Sequence, residues 1–390
     1  MAEKSLIKLT ENCDKPQNKG SEKESANSYR TLIYCPFCHS SLVKKGLRKK
    51  KYETIQVYYC KNCEKKITPL ITKNKTYPLR VIIDSITLYN RLYSCEEIPK
   101  IIKERYGISI SSRIILEWLK DFKKYIPFLR MREFASKKYS KKDIIEESKL
   151  IHQQIYNFKY HRAKLDAILN EEFRHSKFKP LKEFLELVIA ECPHQLFQNS
   201  GKRSSEFKSI FDLNGVKIIS KQNTAVNITN FIMQAVSNNK LRHETLQEFM
   251  LFNDSVTVAV EVPIILNDED LKHYNHNLGF NVPILMNQGE YITGHIDFVQ
   301  IRNGSIYILD FKPSAKKEKP IEQLTIYALA LSRLTGIRLY HFKCAWFDEE
   351  NYFEFFPLHV VYKMQKRRWK NPHALSAIPQ NSEEDINHNE

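Results

Sequence analysis

The sequence predicts a multidomain chain: a small cysteine module, an all-α region, and a C-terminal α/β domain. Three observations predict it. Two Cys-x-x-Cys pairs crowd residues 30–72, apolar residues recur at helical spacing over 77–127, and helices mix with a strand-rich middle from residue 178. A length of 390 residues suits two or three domains rather than one core.

The bulk properties narrow the partners. A net charge of +16 calls for a polyanion, either nucleic acid or an acidic membrane surface. No apolar run approaches the ~18 residues of a membrane span, and Met1–Tyr29 lacks the apolar segment of a signal peptide. The expected location is therefore intracellular and cytoplasmic, with no membrane contact. Residues 1–29 and 365–390 are polar and charged and are expected to be disordered tails. Between the modules, 128–177 is charged and reads as a connector, mostly helical from Lys142 to Asn170.

Cys35 and Cys38 are followed, after twenty-one residues, by Cys60 and Cys63. Four thiolates at this spacing close tetrahedrally on one structural Zn²⁺ and leave no open position for catalysis. Cys13, Cys95, Cys192 and Cys344 are scattered. Between the pairs, Lys44, Lys45, Arg48, Lys49, Lys50 and Lys51 put six cations in eight residues with no acid, which suits a phosphate backbone. Cys35-Pro36-Phe37-Cys38, the basic hairpin after Gly46, and Tyr59-Cys60-Lys61-Asn62-Cys63 together resemble the zinc ribbon that precedes the helix-turn-helix of insertion-sequence transposases.

In 77–127, Glu96 to Tyr106 reads as a helix ending at Gly107, a residue that accepts the left-handed C-cap. Ser111 is placed to cap a second helix through Phe122. That helix buries Ile114, Ile115, Trp118 and Leu119, and presents Ser112, Arg113 and Glu117 to a DNA major groove. An ordinary helical hairpin gives the same pattern, and the preceding ribbon favours the helix-turn-helix.

The C-terminal domain should contain helices at Leu181–Cys192, Val226–Phe252 and Pro320–Leu334. Strands are expected at Val256–Ile265, Tyr291–Arg302, Ser305–Lys312, Arg338–Phe347 and Tyr352–Val361. Asn303-Gly304 is a strong two-residue hairpin signal and fixes the register of the strands around it. Arg302 faces Ser305, Val299 faces Ile308, and Asp297 faces Asp310. Opposite residues lie about 5 Å apart at Cβ, and side chains alternate faces, so Lys312 joins the two aspartates. Two carboxylates beside Val299, Ile301, Ile306 and Ile308 need a cation. Asp297 and Asp310, with the backbone carbonyl of Phe311, suit Mg²⁺ or Mn²⁺, and Lys312 can orient water or neutralise developing charge. The simpler alternative, an ion pair of Lys312 with one aspartate, leaves the second carboxylate unexplained.

Gly294-His295-Ile296-Asp297 followed by Asp310-Phe311-Lys312 resembles the PD-(D/E)XK nucleases, in particular their RecB-like branch. The resemblance spans roughly 178–360 and implies a restriction-endonuclease-like nuclease core, here bounded at 178–362. It also implies roles for Gln323 and Tyr327 in a Gln-x-x-x-Tyr helix, and for His243 as a metal ligand. Glu261-Val262-Pro263 matches the intervening strand, and Glu191-Cys192-Pro193-His194-Gln195-Leu196-Phe197 resembles the opening motif. Two features depart from the pattern. Asn238-Asn239-Lys240 replaces a glycine before the histidine. Only Cys192 matches the cysteines that hold an iron–sulfur cluster in some relatives, so no cluster is expected. The expected function is metal-dependent DNA hydrolysis, linked to a mobile element or to genome defence or repair. The rivals are a non-catalytic DNA-binding regulator with a decayed nuclease fold, and a transposase-related protein.

Overall fold

A computed structural model describes residues 34–362, apart from 36, 69–74, 153, 172, 199–201, 208–209 and 237, and apart from the side chains of 171, 239 and 240. The expected tails at 1–29 and 365–390 lie outside the described residues.

The cysteine module is a three-stranded antiparallel sheet of β1 (Leu42–Lys49), β2 (Thr54–Cys60) and β3 (Lys66–Ile67). Its buried apolar core is small: Cys35, Tyr58, Cys60 and Ile67. Three helices follow: α1 (Leu79–Asn90), α2 (Ile98–Tyr106) and α3 (Ser112–Asp121). Gly107 ends α2 at φ 66°, as its position predicts. Ser111 stands at the N-cap of α3 but makes no capping hydrogen bond with its side chain. The ribbon docks on these helices through Tyr52 stacked on Tyr77 at 5.3 Å and Tyr77 edge-on to Trp118 at 5.4 Å.

The connector is not mostly helical. After a short α4 (Arg132–Lys138), the chain forms a β-hairpin, β4 (Ile145–His152) and β5 (Gln154–His161), before α5 (Arg162–Glu171). Leu150 and His152 on one strand, and Phe158 and Tyr160 on the other, are buried at every second position. That period of two belongs to a half-buried strand, and the intervening charges mark its wet face.

The hairpin joins a large mixed sheet, ordered β4-β5-β8-β9-β10-β11-β12-β7, with β6 paired in parallel to β9. α6 (Lys179–Glu191) and α7 (His194–Gln198) precede β6 (Lys202–Arg203) and β7 (Ile219–Ser220). The single helix expected over Val226–Phe252 is two, α8 (Thr224–Met233) and α9 (Asn239–Asn253). The break falls in a Ser/Asn-rich stretch of the sequence, residue types with low helix propensity. β8 (Thr257–Asn267) leads through α10 (Asp268–Lys272) to β9 (Tyr291–Arg302) and β10 (Ser305–Phe311). α11 (Ile321–Thr335) then crosses over to β11 (Phe342–Phe347), parallel to β10. β12 (Tyr352–Phe355) is shorter than expected, because Pro357 stops the strand and starts α12 (Leu358–Val361).

Alternation along β9 and β10 splits the interior in two. Val299, Ile301, Ile306 and Ile308 face α6 and α11, as the register predicts. Phe298, Tyr307, Leu309 and Phe311 face α8 and α9. Residues Ile82 and Ile86 of α1, Ile98 and Ile102 of α2, and Ile115 and Trp118 of α3 belong to this second core. These three helices therefore share a core with the α/β domain rather than hanging from a linker. A buried amide pair pins the junction: Asn90 donates to Asn253 at 2.8 Å, and Asn253 donates to Thr87 at 3.0 Å. Among the described residues, no helix is long and apolar enough to cross a membrane.

Candidate metal centre and active site

Asn303 and Gly304 both adopt left-handed backbone, at φ 51° and 69°. The paired register runs from Arg302↔Ser305 to Phe298↔Leu309. Asp297 and Asp310 stand one step further on, at the open end of the hairpin. Asp297 Oδ2 accepts from the Phe311 amide at 3.0 Å, and Lys312 Nζ lies 2.9 Å from Asp310 Oδ2. From the first turns of α9, His243 brings Nε2 to 3.0 Å from Asp297 Oδ2. The residues expected at the centre, His243, Asp297, Asp310 and Lys312, are thus brought together. Phe311 contributes its amide to Asp297.

Glu261 completes the cluster. Ligand atoms of His243, Glu261 and Asp297 all lie within 4.8 Å of one another. Gln247, one helical turn after His243, donates to Glu261 Oε1 at 2.6 Å. Glu261 sits mid-strand at φ 51°, a conformation that costs a side-chain-bearing residue of order 1–3 kcal/mol and clusters at functional sites. In the sequence Glu261 stands out only as part of the Glu261-Val262-Pro263 strand. The available signal was a single acid in the otherwise apolar run Val258–Leu266.

The electrostatics show a surplus of negative charge. Burial, then the charge of Asp297, pushes Asp310 up to about 8. The same two causes push Glu261 up to about 7. Burial opposes charging of His243, but Asp297 outweighs it and holds the imidazole up at about 9. Asp297 is buried too, yet His243, the Phe311 amide and Lys312 keep it below the usual carboxylate range. Neither His243 Nε2 nor Asp310 Oδ2 makes an aligned hydrogen bond, despite their close ionic contacts. The His243 imidazole and the Glu261 and Asp297 carboxylates, with Asp310 beside them, fit a hard divalent cation.

The cluster opens into a cleft of about 480 Å³. One wall carries Gln323 and Tyr327 on α11, with Gln323 Nε2 donating to Tyr327 Oη at 2.8 Å. This wall explains Gly294. A Cβ there would lie 2.5 Å from Tyr327 Cε1 and 2.6 Å from Ser204 Oγ. Gly294→Ala should therefore destabilise the domain by about 1–3 kcal/mol through overpacking. Denaturant unfolding checks this, and an unchanged midpoint would refute the close approach. The opposite wall is aromatic. Tyr156 stacks on His295 at 3.5 Å, His152 stacks on Phe197 at 3.6 Å, and His152 Nδ1 lies 2.9 Å from His295 Nε2. Burial lowers His152 to about 4 and His295 to about 3, so both are neutral near pH 7.

In the cysteine module, Sγ of Cys35 and Cys63 are 3.5 Å apart, and those of Cys38 and Cys60 are 3.4 Å apart. All four sulfurs lie within 4.8 Å of one another. Zn–S bonds of about 2.3 Å imply S···S edges of about 3.8 Å, so the cluster fits one tetrahedral ion. Hydrogen bonding from the Ser40 backbone, then from its side chain and Asn62, lowers the Cys38 thiol to about 5 and favours the thiolate ligand.

The expected DNA contacts divide. Lys44, Arg48 and Lys49 are exposed along β1. Lys45 lies over the Tyr59 ring at 4.2 Å and Lys51 over Tyr52 at 5.0 Å. Lys50 is tied to Glu53 at 3.1 Å and to the Lys75 carbonyl at 3.3 Å, so the basic run does have an acid beside it, across the turn. The Ser112 hydroxyl donates to the Cys95 carbonyl at 2.8 Å and holds the helix to the preceding loop. Arg113 is 90% exposed and pairs at 3.4 Å with Glu117, one turn along α3.

Residues 234–381 match the family model of the PD-(D/E)XK nuclease superfamily. Residues 234–381 are thus similar to a superfamily whose members are generally nucleases and typically use divalent metals. Every member of the cluster and both α11 residues fall within the match, whereas the β4–β5 hairpin and the cysteine module fall outside it. No curated protein and no solved structure matches the chain.

Proposed function

We propose that this protein is a DNA-binding nuclease of the RecB-like PD-(D/E)XK branch, hydrolysing DNA phosphodiesters with Mg²⁺ or Mn²⁺. The observation that carries this reading is the convergence of His243, Glu261, Asp297, Asp310 and Lys312, from one helix and three neighbouring strands, on one cleft. His243, Glu261, Asp297 and Asp310 would hold the cation, with the Phe311 carbonyl as a further ligand. When bound, it lowers the pKa of water and offsets negative charge on the phosphate. Lys312 places its ammonium where charge accumulates as the phosphoryl oxygens crowd, and Asp310 keeps that ammonium aimed. Gln323 and Tyr327 bind and orient the substrate backbone from the facing wall.

The zinc-held ribbon and the helix-turn-helix deliver this domain to DNA. Lys44, Lys45, Arg48, Lys49 and Lys51 would track phosphates, and Arg113 would enter the groove. The pairing of a transposase-like ribbon with a nuclease domain fits an intracellular role in a mobile element or in genome defence or repair. Incubation with linear and circular, single- and double-stranded DNA, with and without Mg²⁺ or Mn²⁺, tests the activity. Metal-dependent cleavage of at least one substrate is expected. If the folded protein binds DNA but cuts none, a non-catalytic regulator is the better reading.

The ribbon's part is tested by salt. Replacing Lys44, Arg48 and Lys49 with Ala should reduce the slope of log affinity against log salt by about one per phosphate contact removed. An unchanged slope would make β1 a merely solvated strand.

A further inference from the structure

The cleft divides by chemistry. The charges of Glu261, Asp297, Asp310 and Lys312 line one part of it. Rings line another: Tyr156, His295 and Phe197, on the wall opposite Gln323 and Tyr327. Tyr156 comes from the β4–β5 hairpin, outside the nuclease-superfamily match. His295 stands two residues before Asp297 on β9, so strand alternation puts both on one face, about 7 Å apart along the strand. That spacing is of the order of the distance from a nucleotide's phosphate to its own base.

The rings back one another. Tyr156 lies flat on His295, with centroids 3.5 Å apart and 7° between the planes. His295 Nε2 lies 2.9 Å from His152 Nδ1, and His152 lies flat on Phe197 at 3.6 Å and 13°. His152 and Phe197 are buried, whereas Tyr156 is half-buried at the cleft. A ring already held flat from behind has little side-chain freedom left to lose, so it meets a second flat partner at low entropic cost. The metal cluster, Lys312, Gln323 and Tyr327 account for the phosphate and leave Tyr156 without a part in the chemistry.

We propose that Tyr156 is a stacking platform for a nucleobase: the base of a nucleotide next to the phosphodiester to be cut lies on the Tyr156 ring, backed by His295 and His152. The inference rests on the reading that the charged part of the cleft holds a phosphodiester. Every base has a π-face, so such a platform adds affinity without reading sequence. A base reaches it only after leaving its own stack, so the strand enters the cleft with an unpaired nucleotide at that position.

The test uses the full chain and a short, fluorescently labelled single-stranded oligonucleotide, with Ca²⁺ in place of Mg²⁺ so that binding is read without cleavage. Tyr156→Ala should weaken binding by about tenfold, and Tyr156→Phe should bind like wild type. An abasic site moved along the oligonucleotide should weaken wild-type binding by a similar factor at one position or two adjacent ones. At that position it should cost Tyr156→Ala nothing further, because ring and base are the two halves of one contact. A tyrosine that only supports the fold would not give that non-additivity. Tyr156→Ala binding like wild type, or abasic losses that simply add to its own, overturns the platform. So does a wild type that is indifferent to every abasic position or binds no oligonucleotide, a result that stands even if Tyr156→Ala fails to fold. Base-dependent binding without any cleavage under Mg²⁺ or Mn²⁺ supports the platform and refutes the nuclease reading instead, whereas cleavage with no base dependence does the reverse.

Discussion

Asp310→Asn is expected to lower DNA cleavage by at least about 10²–10³-fold while leaving DNA binding in place. The substitution preserves shape and removes one negative ligand and the partner that aims Lys312. Metal affinity should therefore fall with activity. Lys312→Ala should cost a similar factor in cleavage and spare metal binding, because the ammonium acts on the phosphate rather than on the cation. The two variants together separate the roles. pH adds a third readout. In the metal-free protein Asp310 is held up at about 8 and Glu261 at about 7, so protons compete with the cation for these oxygens. Raising pH removes those protons and then that of His243, held up at about 9, so metal affinity should climb from pH 7 to about 9 and then level. In Asp310→Asn the part of that rise around pH 8 should disappear. Isothermal titration with Mn²⁺ at several pH values measures this. Wild-type cleavage by both variants would dissolve the catalytic assignment.

Cys60→Ser should remove the ribbon's zinc and unfold the ribbon, yet leave the large sheet folded. Among the described residues, the ribbon's core cluster is Cys35, Tyr58, Cys60 and Ile67, each contributing at most a few kcal/mol. A structural zinc contributes about 10–16 kcal/mol of folding free energy at a four-cysteine site of this kind, more than this small apolar core can replace. The two cores flanking the sheet are built from many long apolar side chains and need no such ion. The expected result is about one zinc per wild-type chain and none in the variant. Hydrogen exchange should lose protection in β1–β3 alone, and DNA affinity should weaken. A variant that kept its ribbon protected without zinc would contradict this account.

The legible parts of the site were those set by local rules. Asn303-Gly304 fixes a turn, the turn fixes a register, and the register carries Asp297, Asp310 and Lys312 to one face without reference to the rest of the chain. The Cys-x-x-Cys pairs are similarly self-contained. What was missed depends on tertiary context. The β4–β5 segment carries Glu147, Lys149 and Lys159 on its wet face. Those charges resemble a helical connector until a sheet edge is there to bury Leu150, Phe158 and Tyr160. Glu261 reaches the cluster through a left-handed backbone that no residue preference signals. The hydrogen bond from Ser112 to the Cys95 carbonyl spans seventeen residues and is likewise set by the tertiary fold.

The central claim is that the cluster on α9, β8, β9 and β10 is a metal-dependent phosphodiesterase centre. The most direct measurement follows cleavage of one defined DNA oligonucleotide by wild type and by Asp297→Asn, each first freed of loosely bound metal and then titrated with Mg²⁺ or Mn²⁺. The account predicts no cleavage without added metal, saturable cleavage by wild type as metal is added, and none by Asp297→Asn at the same metal concentrations. Equal cleavage by the two proteins, or cleavage by wild type that persists without divalent metal, would contradict it.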